Sequence, residues 1–167
     1  PFAPLCLTLY LNNTCNLACA YCYARPQAKS TARLSLEAIR SAAQLVAANC
    51  AEQGVRMTVV FHGGGEPSLP LARLQQALAL VEGVAQAHGV GLFRYIATNG
   101  VMPAENAAWL AQHFDLIGLS CDGPPDIQAR QRPLRTGESS TPWVERTARL
   151  VRQAGKPLHV RLTLTPA

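Results

Sequence analysis

Charge is scarce in this 167-residue chain: Asp, Glu, Lys and Arg together make up 15% of it, against 49% apolar residues. A polypeptide so composed has apolar surface to bury and is not a disordered or solvating segment. Lysine is scarcer still, confined to Lys29 and Lys156, so the net charge of +5 rests on arginine. Those arginines are scattered, with no basic block of the kind that tracks a phosphate backbone, and no nucleic-acid partner is expected. No apolar run nears the ~20 residues of a membrane span, so no membrane association is expected either. A charged, then apolar, then small-residue leader is also missing, which leaves secretion unsupported. The expected location is a reducing cytoplasm, and it suits the six cysteines, which form no recognisable disulfide framework. The length allows one domain, able to bury roughly 70% of the surface its unfolded chain exposes. Pro1 stands first in place of Met, and Ala167 follows directly on a strand-like run, so a piece of a longer protein is expected.

What is present is an alternation of strand-like and helix-like segments. Leu5 to Asn12 is short, apolar and β-compatible, and stops at the turn-prone Asn12-Asn13. Leu34 to Gln53 carries apolar residues at helical spacing, with Ser35 as N-cap and Gly54 as stop. Arg56 to His62 reads as a buried strand bounded by Gly63-Gly64-Gly65. Leu69 to His88 is helical by period and ends at Gly89. Val90 to Thr98 is a strand meeting Asn99-Gly100, a turn signal. Ala104 to His113 is a helix and Asp115 to Ser120 a strand. Pro124 to Pro142 is polar and proline-rich and reads as a loop, mobile or facing substrate. Thr141 to Ala154 is a helix and Leu158 to Thr165 a strand. This β-α order predicts an α/β fold with a parallel sheet covered by helices, open or curled toward a barrel. Sites in such folds lie at the C-terminal ends of strands. Every unusual motif of the chain falls at one of those ends.

The first is a cysteine loop, Cys15-x3-Cys19-x2-Cys22. Three thiols within eight residues can wrap a soft-metal centre. A structural zinc would want a fourth ligand, for which His62 is the nearby candidate by topology. A thiol oxidoreductase would need only Cys19 and Cys22 and would leave Cys15 dispensable. An iron–sulfur cluster usually takes four cysteines, so three leave one metal position open for chemistry. The remaining cysteines, Cys6, Cys50 and Cys121, are expected to behave as small buried hydrophobes.

Cys15, Cys19, Tyr21 and Cys22, as Cys-x3-Cys-x-Tyr-Cys, resemble the signature loop of the radical S-adenosylmethionine (SAM) superfamily. In that family three such cysteines hold a [4Fe-4S] cluster, and the amino and carboxylate groups of SAM chelate the fourth iron. An electron from the cluster cleaves SAM to a 5′-deoxyadenosyl radical, which abstracts a substrate hydrogen. The resemblance implies Cys15, Cys19 and Cys22 as cluster ligands and places Tyr21 near the adenine.

Three further motifs carry it. Gly64-Gly65-Glu66-Pro67 offers close backbone approach and strand-edge carbonyls to an ammonium, with Glu66 adding negative charge. It resembles the family segment that binds the SAM amino group, although as residues alone it is also an ordinary glycine-rich turn. Thr98-Asn99-Gly100 resembles the strand-three segment that faces the cofactor; as residues it is equally a plain turn. Ser120-x-Asp122-Gly123-Pro124 resembles a segment of the branch with auxiliary-cluster (SPASM) domains, which includes sulfatase maturases and peptide-modifying enzymes. Ser120 is then a SAM ligand, through ribose or carboxylate, while Asp122 orders the loop. That branch often continues with His-Asp and then Arg; here the positions are Gln128, Ala129 and Arg132, which weakens sulfatase maturation in particular. Arg132 reads either as a carboxylate clamp or as a solvated loop charge.

The chain is thus expected to be a radical SAM core domain over residues 1–167, a partial (β/α)6 barrel of about five parallel strands truncated at its C-terminus. Its expected cofactors are a [4Fe-4S] cluster and SAM, and its substrate a peptide or, failing that, a small molecule. A flavodoxin- or ferredoxin-type protein is the expected electron donor. The catalytic proton or electron acceptor is not assigned to any residue. The competing reading is a non-catalytic zinc or iron–sulfur module, which has no need of the motifs around the cysteines.

Overall fold

A computed structural model describes residues 2–24 and 33–165. The chain runs β1 (Cys6–Leu9), α1 (Leu36–Gln53), β2 (Met57–Phe61), α2 (Leu71–Ala87), β3 (Leu92–Thr98), α3 (Ala104–His113), β4 (Leu116–Ser120), α4 (Pro125–Gln131), α5 (Thr141–Gln153) and β5 (Leu158–Arg161). Local chemistry accounts for several of these limits. Ser35 caps α1 by accepting the Ala38 N–H at 3.1 Å, and Gly54 ends it at φ 63°, a left-handed conformation that glycine takes without strain. Ile39, Ala43, Val46, Ala47 and Cys50 then fall on one buried stripe of that helix.

The five strands form one open, wholly parallel sheet in the order β1-β2-β3-β4-β5. Because the order is sequential, every crossover steps the same way, and right-handed crossovers then lay all the helices on one face. The register puts Leu9, Phe61, Ile96, Ile117 and Leu158 in a single row across the sheet. With Leu7, Val59 and the apolar stripes of α1 and α2, this row forms the core. Alternate residues point the other way. On that concave face Cys6, Thr8 and Tyr10 are exposed and Val60 and Tyr95 half-buried. The result is the arc of a (β/α) barrel, with helices outside and an uncovered inner wall.

The structure differs from the sequence reading in three places. β1 and β5 are shorter than the β-compatible runs containing them, since only Cys6–Leu9 of the first and the opening half of the second pair with a neighbour. The segment 124–142 is not a free loop. It contains α4, which opens with Pro125 in its first turn where a missing N–H costs nothing, and Gln128 and Ser140 in it are fully buried. Of the isolated cysteines only Cys50 is buried; Cys6 is exposed because it sits on the uncovered face, and Cys121 is intermediate. Among the described residues no helix is long and apolar enough to cross a membrane.

Candidate active site

The loops that leave β1 to β4 at their C-terminal ends are laced together by polar groups. Asn12 begins the lacing: its Oδ1 accepts the Thr14 N–H at 2.8 Å, and its Nδ2 donates to the carbonyls of Glu66 and Leu69 at 3.0 and 2.6 Å. The backbone adds Gly65 N–H to Asn12 O and Glu66 N–H to Thr14 O, at 2.8 and 2.7 Å. This contact explains the glycines. A Cβ at Gly65 would lie 1.8 Å from the Thr14 carbonyl oxygen, and Gly64, at φ 66°, would place one 2.5 Å from that of Asn12. The close approach these glycines permit is therefore to the cysteine loop itself.

Glu66 is 3% exposed and its carboxylate turns inward. Oε1 accepts from the Ser68 N–H, the Ser68 hydroxyl and the Thr98 hydroxyl at 3.1, 2.8 and 2.7 Å, and Oε2 from the Asn99 N–H at 2.7 Å. Burial pushes its pKa up, and the four donors oppose that rise. Asn99 continues the chain of contacts, with Nδ2 donating to Asn16 Oδ1 at 2.8 Å and to the Cys15 sulfur at 3.6 Å. The Leu17 N–H also points at Cys15 Sγ, 3.5 Å away. Thr98 and Asn99 thus tie the second strand's loop to the cysteines.

A second network closes the other side. The Tyr21 hydroxyl donates to Asp122 Oδ2 at 2.6 Å and accepts from Arg132 Nη1 at 2.5 Å. Arg132 is 8% exposed and 3.8 Å from Asp122 Oδ1, so it is not a solvated loop charge. The Asp122 N–H is held by Gln128 Oε1; Gln128 Nε2 donates to the Ser140 hydroxyl, which donates to the Arg132 carbonyl. Gln128 and Asn12 anchor these networks, and sequence reasoning missed both, having read them as a departure from a motif and a strand stop. Their polarity in otherwise ordered segments was the available signal.

Between these networks lies a cavity of about 400 Å³ at the C-terminal ends of the strands. Its lining includes Cys15, Cys19 and Cys22, Tyr21, Gly64, Gly65 and Glu66, Thr98 and Asn99, Ser120 and Arg132. Each of the four sequence motifs contributes residues to this wall, while Asp122 stands behind it as a partner of Tyr21. His62 lines it as well, with its ring tilted against Tyr10 at 6.2 Å. Burial raises the pKa of Cys15 and carries that of Cys19 up to about 11, with Arg132 as the opposing charge. A bare thiolate is therefore disfavoured here, and a cationic metal centre is the partner that would stabilise it. Among the described residues no three His, Cys, Asp or Glu side chains converge on a single-ion position. Three thiols lining one wall are a soft-ligand set of the kind an iron–sulfur centre uses.

Fold and site together define an α/β half-barrel with a soft-ligand cavity on its C-terminal rim. The chain belongs to the radical SAM superfamily, whose profile matches residues 9–166. That is a family of enzymes using a [4Fe-4S] cluster and SAM. Two curated relatives are similar in sequence. The serine-type anaerobic sulfatase-maturating enzyme of Klebsiella aerogenes is 35% identical over 132 residues, covering 75% of this chain and 31% of that protein. The cysteine-type anaerobic sulfatase-maturating enzyme of Clostridium perfringens is 28% identical over 145 residues, 83% of this chain and 38% of that protein. The chain spans about a third of the length of these relatives. Among solved structures, native anSMEcpe with bound AdoMet and Cp18Cys peptide superposes with a TM-score of 0.78 at 26% identity, covering 94% of this chain and 42% of that one.

Proposed function

We propose that this chain is the cofactor-binding core of a radical SAM enzyme that modifies a peptide or protein. The observation that carries the reading is the gathering of four separate sequence motifs around one cavity. In this reading Cys15, Cys19 and Cys22 hold three irons of a [4Fe-4S] cluster and leave the fourth open. When bound, the cluster and SAM together supply a 5′-deoxyadenosyl radical able to take a hydrogen atom from substrate. The residues' own work is positional. The strand-edge backbone of Gly64 and Gly65 offers carbonyls to the SAM ammonium, and Glu66 sets the field there. Ser120 and Arg132 take hydroxyl or carboxylate oxygens, Arg132 through the guanidinium N–H donors that Tyr21 does not use. Tyr21 presents its ring to the adenine while Asp122 and Arg132 fix its hydroxyl. Thr98 and Asn99 act behind this layer, through Glu66 and Cys15.

A peptidyl substrate is supported by the sulfatase-maturating relatives and by the peptide in the anSMEcpe structure. Gln128 and Ala129, where a His-Asp pair is common in that branch, favour a substrate other than a sulfatase. The electron would come from a flavodoxin- or ferredoxin-type donor. The test is anaerobic reconstitution of the full-length protein with iron and sulfide, then EPR of the reduced sample with and without SAM. A [4Fe-4S]⁺ signal that shifts with SAM supports the reading. A zinc-only protein, or a signal indifferent to SAM, overturns it in favour of a structural metal module.

A further inference from the structure

The concave wall carries a feature to which the cofactor reading above assigns no role. Gly118 lies inside β4, and its φ is outside the left-handed range, so the backbone does not ask for glycine there. Glycine in a strand interior weakens it unless something must come close. Here a Cβ would stand 2.1 Å from the Tyr95 hydroxyl and 3.1 Å from Cδ of Arg161. The missing side chain is thus what allows Tyr95 and Arg161 to lie over the sheet. Arg161 pairs in register with Ser120 and, like it, lines the cavity.

Charge around Arg161 is one-sided. All ten Asp and Glu of the chain lie in the described segments. Of these, only Glu66 lines the cavity, and its oxygens are held by Ser68, Thr98 and Asn99. Asp122, beside it, is taken by Tyr21, the Thr163 N–H and Arg132. Arg132 commits Nη1 to Tyr21 and is assigned above to the cofactor. Arg161 makes no ion pair with any described residue, and its neighbours His62 and Tyr95 carry no negative charge. Burial and the nearby guanidinium both push the His62 pKa down, which keeps that ring neutral.

We infer that this wall receives an acidic side chain of the peptide substrate, with Arg161 as the residue that reads its carboxylate. A guanidinium on a rigid sheet, over a surface cleared by Gly118, offers a carboxylate the paired N–H geometry it binds best. The inference rests on the peptide-modifying reading above. It names the chemistry of the substrate segment, a carboxylate set beside the cofactor cavity.

The test uses the full-length, cluster-loaded protein with SAM bound, probed on an array of end-blocked octapeptides. Wild type is expected to prefer Asp or Glu over Asn or Gln at one position by at least about tenfold in Kd. Arg161→Gln is expected to abolish that preference and Arg161→Glu to turn it toward Lys or Arg. Gly118→Ala, which displaces the same side chains without changing charge, should weaken it. In the Arg161 variants the SAM affinity and the SAM-induced EPR shift should stay within about twofold of wild type. A tenfold loss of SAM affinity in Arg161→Gln would assign the residue to the cofactor and overturn the proposal. So would an array with no acidic preference, or one that Arg161→Gln leaves intact. Failure of the cofactor reading is separately visible, as a wild-type signal indifferent to SAM.

Discussion

Glu66→Gln is the sharpest perturbation the site offers, because the two side chains differ by little more than one proton-bearing group. The carboxylate has a backbone N–H aimed at each oxygen: Ser68 at Oε1 and Asn99 at Oε2. Hydroxyls can rotate to accept, but backbone amides cannot. Whichever way a glutamine amide is turned, its NH2 therefore faces a fixed donor. One buried N–H is left without a partner, which costs about 1–3 kcal/mol, and the surviving bonds lose the charge that roughly doubles their strength. The sum is about 3 kcal/mol, or about two decades in an opening equilibrium. Hydrogen exchange on the full-length protein should show Asn99 or Ser68 N–H protection falling about a hundredfold, with no comparable change in α1. The same argument holds the carboxyl ionised in the folded protein despite its burial, because a proton on either oxygen would meet the same donors. If Glu66→Gln leaves both protection factors and the unfolding midpoint unchanged, the carboxyl is neutral in the native state and the reasoning fails.

Four further substitutions have outcomes set by the structure. Gly65→Ala drives a Cβ into the Thr14 backbone carbonyl, which cannot swing aside as a side chain could, and should destabilise by about 2–4 kcal/mol. Gly83→Ala, on the exposed side of α2 with nothing near its Cβ, should stabilise by about 0.5–1 kcal/mol; paired denaturant melts check both. Asp115 is held below its ordinary pKa of 3.8 by hydrogen bonds from Arg94, so the ion pair contributes above that pH and is lost as pH falls through the depressed value. Asp115→Asn should thus remove up to about 1 kcal/mol at pH 7 and flatten the acid limb below about pH 4, as read from melts across pH. Gln128→Leu strands the Asp122 N–H and should cost about 2–3 kcal/mol, with Asp122 losing its exchange protection first.

The order of elements was legible because glycine and proline punctuate strongly and the helices keep a clean 3.6 period. α4 was not, since a seven-residue stretch with four polar side chains, preceded by Pro124, looks like a loop until Gln128 is seen fully buried. That the four motifs would share one rim was legible from the order of elements, but the direction of each side chain was not. Glu66 could equally have faced a ligand; its inward turn depends on donors from Thr98 and Asn99, 32 and 33 residues away. Arg132 was undecided between clamp and solvent for the same reason, since its fixed partner, Tyr21, lies 111 residues back. The reason for Gly64 and Gly65 was also hidden: the neighbour they make room for is a carbonyl of the preceding loop, and nothing in the spacing announces which loops will meet.

The period-two sheet has a consequence for how such a protein can change. Leu9, Phe61, Ile96 and Ile117 keep the chain folded, while Thr8, Val60, Tyr95 and Gly118, one residue away on the same strands, face the hollow. Selection on folding and selection on substrate therefore act on interleaved positions that do not compete. A lineage can exchange every second residue of a strand, retune what the hollow accepts and leave both the packed layer and the rim untouched. Divergence between relatives should accordingly be striped along each strand, fast and slow sites alternating.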